Sequence, residues 1–325
     1  MGCCICALFW IILAAVGWKI YLKLRTKKTD SYTCLNGKTA IVTGANTGIG
    51  YVTALDFACR GARVILGCRN KEKAEEACEK IKKETGNDNV VYKLLNMTSL
   101  QSVRDFAKDI NENEDRLDIL VNNAGAGGLG NHVTEDGLQI TIQVNHLSGF
   151  LLTHLLIEKL KKSAPSRIVN VSSIGAKFAK INIDALNMFP QDVGPARADT
   201  RLYGVSKLCN IYFTTELAKK LDGSGVTVNA LHPGAVLTDI FRRMPKLMKT
   251  IVMAFAKPYF KTPEEGARTS IHVATSRSVQ HITGQLFDNC QQIELYDSAK
   301  DAEIAKKLWT KSEELVKLKR EEKIK

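Results

Sequence analysis

Proline is scarce in this chain of 325 residues, with seven in all, and aromatic residues make up only 7%. With 23 glycines at no fixed period, this excludes a collagen-like repeat and a proline-rich low-complexity chain. Histidine is scarce as well. The six histidines fall at no metal-ligand spacing, so no metal site is expected. The nine cysteines are odd in number, in a chain too long to need covalent staples, and a disulfide scaffold is not expected. What is present is 45% hydrophobic and 25% charged residues, enough for a packed core and too apolar for bulk disorder. No repeat or internal linker divides the chain, and its length fits one large α/β domain.

The net charge of +12 suggests a polyanion partner until it is located. Residues 1–30 carry a surplus of four positive charges and residues 300–325 a surplus of three. The long middle holds the remaining five. Charge concentrated at the chain ends, not on a working face, argues against a nucleic-acid partner.

Ile5 to Trp18 is free of charge, and the apolar run continues past Lys19 to Leu22. As a helix, Ile5–Leu22 would span about 27 Å, close to a thin bilayer core. No small-residue cleavage site follows, so residues 1–24 read as a retained membrane anchor, either spanning or inserted as a hairpin. Lys19, Lys23, Arg25, Lys27 and Lys28 all follow the charge-free stretch Ile5–Trp18, and no Lys or Arg precedes it. That bias puts the body on the cytosolic side, with 25–36 as a basic linker. Cys3, Cys4 and Cys6 beside the apolar run are acylation candidates. At the other end, 301–325 reads as an amphipathic helix through Ile304, Leu308, Leu315 and Leu318. It either docks on the body or lies on a membrane surface.

Between the ends, over 37–300, short β-branched runs alternate with helical stretches. Thr39–Thr43, Arg63–Gly67, Val90–Leu95, Leu117–Asn122, Arg167–Val171 and Val226–Leu231 read as strands. Tyr51–Arg60 and Lys71–Thr85 read as helices, the second closed by Gly86. Thr98-Ser-Leu-Gln101 reads as a capping box. This rhythm predicts an α/β fold of the Rossmann type, a doubly wound parallel sheet in a single domain behind the N-terminal anchor.

The turn Thr43-Gly44-Ala45-Asn46-Thr47-Gly48-Ile49-Gly50 joins the first strand to the first helix. Gly44 permits a sharp exit, Gly48 a close approach of backbone to a pyrophosphate, and Gly50 close packing of helix on sheet. The second strand ends Gly67-Cys68-Arg69-Asn70, with no acidic residue for a ribose 2′-hydroxyl. Arg69 suits a 2′-phosphate, which favours NADP(H) over NAD. Asn96, beside Met97 after the third strand, can contact an adenine edge. Tyr203 and Lys207 are four apart and share a helix face, where a lysine ammonium would lower the tyrosine pKa towards use as an acid–base.

The glycine spacing resembles that of the short-chain dehydrogenase/reductase family. Asn122-Asn123-Ala124-Gly125, Ser172-Ser173, Tyr203-Gly-Val-Ser-Lys207 and Pro233-Gly234 follow in that family's order. The resemblance implies a catalytic set of Asn145, Ser173, Tyr203 and Lys207. Ser173, second of its pair, would hold the substrate oxygen, with Ser172 as the neighbouring candidate. Tyr203 would be the acid–base. Lys207 would hold the nicotinamide ribose, and Asn145 would kink its helix and hold a water relaying protons to Lys207. Cofactor contacts are implied for Gly44, Asn46, Thr47, Gly48, Ile49, Gly50, Arg69, Asn96, Met97, Asn123, Ala124, Gly125, Tyr203, Lys207, Pro233, Gly234 and Thr238. His146, beside Asn145, reads as a packed core histidine.

Ser173 and Tyr203 are 30 residues apart, a long gap that resembles the branch of retinol dehydrogenases 11 to 14. Those enzymes use NADP and face the cytosol from a membrane anchor. The segment Ile240–Phe260, rich in methionine and aromatic residues, suits a greasy pocket for a lipophilic substrate. The resemblance implies retinol/retinal interconversion, with reduction the expected direction. Reduction of steroid or fatty carbonyls is the enzymatic alternative, and a noncatalytic nucleotide-binding scaffold the alternative of another class. Self-association is left open. An endoplasmic-reticulum or lipid-droplet surface is the expected location.

Overall fold

The computed structural model describes residues 32–236 and 260–324. The anchor, most of the basic linker, Thr238 and nearly all of Ile240–Phe260 lie outside them. Eight strands form one sheet: β1 (Thr39–Thr43), β2 (Arg63–Cys68), β3 (Val90–Leu94), β4 (Ile119–Asn122), β5 (Ser166–Val171), β6 (Val226–His232), β7 (Leu286–Asp288) and β8 (Gln291–Ile293). Their spatial order is 3-2-1-4-5-6-7-8. All neighbours are parallel except β7 and β8, which are antiparallel. The order reverses direction beside β1, and in such sheets ligands bind at that switch point, beyond the carboxyl ends of the strands.

Alternating side chains sort the core into two layers. Ile41, Ile65, Leu120, Ile168 and Val228 face one layer. Ala40, Val42, Val64, Leu66, Val121 and Val169 face the other. Three helices cover the second layer: α1 (Gly48–Cys59), α2 (Lys71–Thr85) and, later in the chain, α6 (Pro263–Thr275). The first layer is covered by α3 (Leu100–Asn113), α4 (Ile140–Lys162), α5 (Pro195–Lys220) and α7 (Ala302–Leu315). α4 is long and apolar enough to cross a membrane, but 83% of its most apolar stretch is buried inside the protein, so it is a core helix.

Strand positions match the sequence reading within two residues, while the edges show local chemistry. Gly86 adopts φ +67° and closes α2 as predicted. α1 begins at Gly48, three residues before the predicted start, because the glycine turn itself runs into the helix. The cap of α3 is Ser99, which accepts from the Ser102 backbone, not Thr98. The Thr98 hydroxyl is drawn instead to Asn96 Oδ1 at 2.8 Å, and Gln101 reaches Asp105, so no capping box forms there. β7 and β8 were not predicted. Each is three residues long, and β8 begins with two exposed glutamines.

The C-terminal helix docks. Asp301 caps α7 by accepting from the Glu303 and Ile304 backbones. Leu308 is buried at the centre of the predicted stripe, with Ile304, Leu315 and Leu318 partly buried around it. The larger contribution is Trp309, which the stripe omitted. Its ring lies 5.2 Å from Phe150, 5.8 Å from Phe213 and 5.0 Å from His154. Arg104 of α3 pairs with Glu322 and fastens the tail beyond the helix. Trp309→Ala is expected to cost about 3–5 kcal/mol of stability, as large-to-small changes in packed aromatic sites do. Urea unfolding of the variant checks this, and a loss below about 1 kcal/mol would mean that α7 adds little to the core.

Candidate active site

At the carboxyl ends of the strands lies a cleft of about 1020 Å³. Its first half is built by the glycine turn after β1. Gly44 has φ +67° and donates to the Gly67 carbonyl at 2.8 Å, which turns the chain out of the sheet. A Cβ on Gly50 would come within 2.5 Å of both the Gly44 carbonyl and Asn123 Nδ2. Asn123 in turn donates from Nδ2 to the Thr43 carbonyl at 2.8 Å, tying the end of β4 to the end of β1. Thr43 Oγ1 accepts from the Asn123 and Ala124 backbones at 3.0 and 2.9 Å. The Asn-Asn-Ala-Gly stretch is thus the brace that holds the glycine turn open.

This half fits a dinucleotide. No side chain caps the first turn of α1, whose N-terminal residues line the cleft. Arg69 stands at the end of β2, and Lys73, one turn along α2, lines the same wall. The sequence reading does not single out Lys73, which the cap of α2 places on this wall: Asn70 accepts from the Lys73 backbone at 2.8 Å. Asn96 and Met97 line the cleft too. The Asn96 oxygen accepts from Thr98 at the backbone and the hydroxyl, so what Asn96 can offer a base is its amide donor.

The second half gathers Ser173, Tyr203 and Lys207 with Pro233 and Gly234. Ser173 follows β5, and its hydroxyl accepts from the Gly175 backbone at 3.2 Å while facing the cleft. Ser172 is 2% exposed and spends its hydroxyl on the Lys207 carbonyl at 2.7 Å, which separates the two serines. Lys207 is buried, with Nζ donating to the Val171 carbonyl at 3.1 Å and lying 5.9 Å from the Tyr203 ring centre. Gly125 leaves room for it, since a Cβ there would meet Nζ at 2.8 Å. Burial lowers the Lys207 pKa to about 8. Burial also pushes the Tyr203 phenol up, with a hydrogen bond to Ser173 pulling the other way. The sequence predicted a lowered tyrosine pKa. In a pocket that disfavours both charges, desolvation outweighs the ammonium.

Asn145 lies behind the cleft wall. It sits in a π-turn, Gln143–Leu147, within α4, so the helix is distorted at the predicted place. Its side chain accepts from the Ala126 backbone at 2.8 Å and donates to the Ala126 carbonyl at 2.9 Å and to Ser206 at 3.0 Å. Its own backbone carbonyl takes the amide of Asn210 at 3.0 Å. The far rim is stitched by Lys261, whose backbone donates to the Ala235 carbonyl at 2.8 Å. Its Nζ reaches Asn289 at 2.6 Å and the Pro233 carbonyl at 3.3 Å.

The comparisons agree with this geometry. Residues 38–185 match the short chain dehydrogenase family. Human retinol dehydrogenase 14 is 40% identical, over 94% of this chain and 97% of the relative. Mouse retinol dehydrogenase 11 is 44% identical, over 94% and 95%. Among solved structures, an uncharacterized Mycobacterium paratuberculosis protein has 30% identity and a TM-score of 0.70, over 89% of this chain and 96% of that one. The RhlG/NADP active-site complex of Pseudomonas aeruginosa has 26% identity and a TM-score of 0.62, over 79% and 96%. The chain belongs to the short-chain dehydrogenase/reductase family of oxidoreductases. Within that family it is similar to the retinol dehydrogenases numbered 11 to 14.

Gly50→Ala is expected to displace both Asn123 and the turn, and so to weaken dinucleotide binding at least about tenfold, the effect of losing roughly 1.4 kcal/mol. Quenching of tryptophan fluorescence by the nucleotide measures it, and unchanged affinity would remove the turn from the binding site.

Proposed function

We propose that this protein is an NADP(H)-dependent reductase of lipophilic carbonyls, with retinal first among its substrates. The observation that carries this reading is the meeting of Ser173, Tyr203 and Lys207 at one end of a cleft whose other end is a glycine cradle with Arg69. The names of the relatives support the substrate class. When bound, NADPH supplies the hydride for the carbonyl carbon.

The chain's own residues bind, orient and move a proton. The backbone of Gly44–Gly50, with Asn46, Thr47 and Ile49, receives the pyrophosphate, while Arg69 and Lys73 take the 2′-phosphate. Asn96 and Met97 border the adenine. Asn123, Ala124, Gly125, Pro233 and Gly234 would border the nicotinamide side, where Lys207 would hold the ribose. Ser173 donates to the substrate oxygen and steadies the charge that develops there. Tyr203 gives its phenolic proton to that oxygen. A phenol held above its ordinary pKa stays protonated at neutral pH, which suits reduction.

The pH dependence follows in sign. The protonated phenol is present below the raised pKa and lost as pH rises through it. Reductive kcat should therefore hold through neutral pH and fall on the alkaline side, while alcohol oxidation, which needs the phenolate, should rise over the same range. Opposite slopes in the two directions are the expected result, and parallel profiles would remove Tyr203 as the titrating group.

The deciding assay uses membranes carrying the full chain, all-trans-retinal, and NADPH against NADH. Turnover preferring NADPH and lost at least about a thousandfold in Tyr203→Phe is expected, in line with removal of an acid–base group. Arg69→Gln should raise KM for NADPH about tenfold to a hundredfold, the worth of a charge-assisted hydrogen bond, and leave KM for NADH unchanged. Turnover of steroid or fatty carbonyls alone would change the substrate and keep the chemistry. Silence with every carbonyl would favour a noncatalytic scaffold.

Residues 1–24 are the proposed anchor and 25–36 the linker to a cytosolic body, at an endoplasmic-reticulum or lipid-droplet surface. The sequence holds two formal glycosylation sequons, Asn96-Met-Thr98 and Asn170-Val-Ser172, and Asn170 is 1% exposed in β5. A mobility shift on removal of N-glycans would thus report on Asn96, and would overturn the cytosolic orientation.

A further inference from the structure

Behind Lys207, three helices exchange buried hydrogen bonds that the proposed chemistry does not use. Asn210 lies three residues after Lys207 on α5 and is buried. Its amide nitrogen donates to the Asn145 carbonyl at 3.0 Å and to the Val171 carbonyl at 3.3 Å. Val171 offers the same carbonyl to Lys207 Nζ at 3.1 Å. On its other side, Asn210 Oδ1 stands 3.2 Å from His146 Nδ1. His146 Nε2 stands 3.0 Å from the hydroxyl of Ser312 in α7. His146 is 1% and Ser312 0% exposed.

The proton positions follow from chemistry. An amide oxygen only accepts, so His146 Nδ1 must carry the hydrogen it shares with Asn210. Burial lowers the imidazole pKa to about 4, so the ring is neutral and Nε2 accepts from Ser312. The run is therefore directional: Ser312 donates to His146, His146 to Asn210, and Asn210 to the two carbonyls beside the lysine. Each link is satisfied, and such networks hold their members in one arrangement.

We propose that Asn210 is a positioning residue for Lys207, braced through His146 by Ser312 of the C-terminal helix. The proposal rests on the reading of Lys207 as a working group of the site. Asn210 joins the end of β5 to the π-turn of α4 and shares with Lys207 the carbonyl that fixes Nζ. It is also a competitor for that carbonyl, and it turns the positive end of its amide towards the ammonium's acceptor. Both effects weaken the hold on a charged lysine. Tyr203 on the same helix and neutral His146 on α4 are the titratable neighbours from the elements packed there. Burial is the cause of the lowered Lys207 pKa, and no carboxylate contributes.

The test uses the full-length chain in nanodiscs, labelled with ¹³Cε-lysine, and follows the titration of the Lys207 carbon. That signal is identified by its loss in Lys207→Met. In Asn210→Leu, which keeps the branched shape and removes the donor, the midpoint should rise by roughly half a unit or more, about threefold in the ionisation constant. Ser312→Ala, a milder change remote from the cleft, should raise it less. Ser312→Ala should add nothing once Asn210 is leucine, because the brace is already cut. In turnover, Asn210→Leu should lower kcat about tenfold and leave KM for the carbonyl nearly unchanged. A Lys207 midpoint unmoved in Asn210→Leu, with thermal stability lowered, would reduce Asn210 to a structural residue. An undiminished Ser312→Ala effect in the double variant would break the link to α7. Absence of any turnover would sink the reductase reading, while the lysine titration would still decide this one.

Discussion

The deep end of the cleft depends on a lysine nitrogen buried without a carboxylate partner. Lys207 is only 3% exposed, and its nitrogen rests on a backbone carbonyl. A buried ammonium loses its hydration, and the protein must replace it with fixed dipoles or let the proton go. Here it does part of each. The Val171 carbonyl accepts from it, and the pKa settles to about 8, near enough to neutral pH for both forms to exist. Gly125 leaves space for that nitrogen, and Ser172 gives its hydroxyl hydrogen to the lysine's own carbonyl, whereas the Ser173 hydroxyl accepts from the Gly175 backbone and keeps its hydrogen for the cleft. This end of the cleft is arranged around one lysine.

The same low-dielectric setting governs Tyr203. Lowering a phenol's pKa with a nearby ammonium needs the ammonium to stay charged, and the pocket that desolvates one desolvates the other. The two groups, which titrate close together when free, are therefore driven apart: the lysine comes down and the tyrosine goes up. A protonated phenol beside a lysine of reduced basicity is an arrangement suited to giving a proton to a carbonyl oxygen.

Much of this was legible in the sequence, because the signals were local. A β-branched run followed by a glycine exit marks Thr39–Thr43, and a charged helix ending in a glycine marks Lys71–Thr85 to its last residue. The glycine turn, Arg69 and the tyrosine–lysine pair carry their chemistry in their spacing, and the structure brings them to one cleft. What was not legible depends on distant partners. His146 looked like a packed histidine, and it is packed, but nothing near it in the chain announces Ser312 across 166 positions. Asn210 carries no signal in its neighbours along the chain, because its partners lie at the end of β5 and in α4. Trp309 fell outside the apolar stripe because its partners lie on α4 and α5. At the start of α3, where Asn96 takes the Thr98 hydroxyl and Ser99 becomes the cap, Asp136 from far along the chain also accepts from the Leu100 backbone at 2.8 Å.

The stitch made by Lys261 has a consequence for how such a protein can change. Pro233 follows β6 and Asn289 follows β7, and both are held by the one ammonium of Lys261, whose backbone also donates to Ala235. A bridge between Val236 and Lys261 adds to the same joint. Substitution of this one residue would thus be felt at two strand ends and on the cleft rim together, so the rim is a poor place for change by small independent steps.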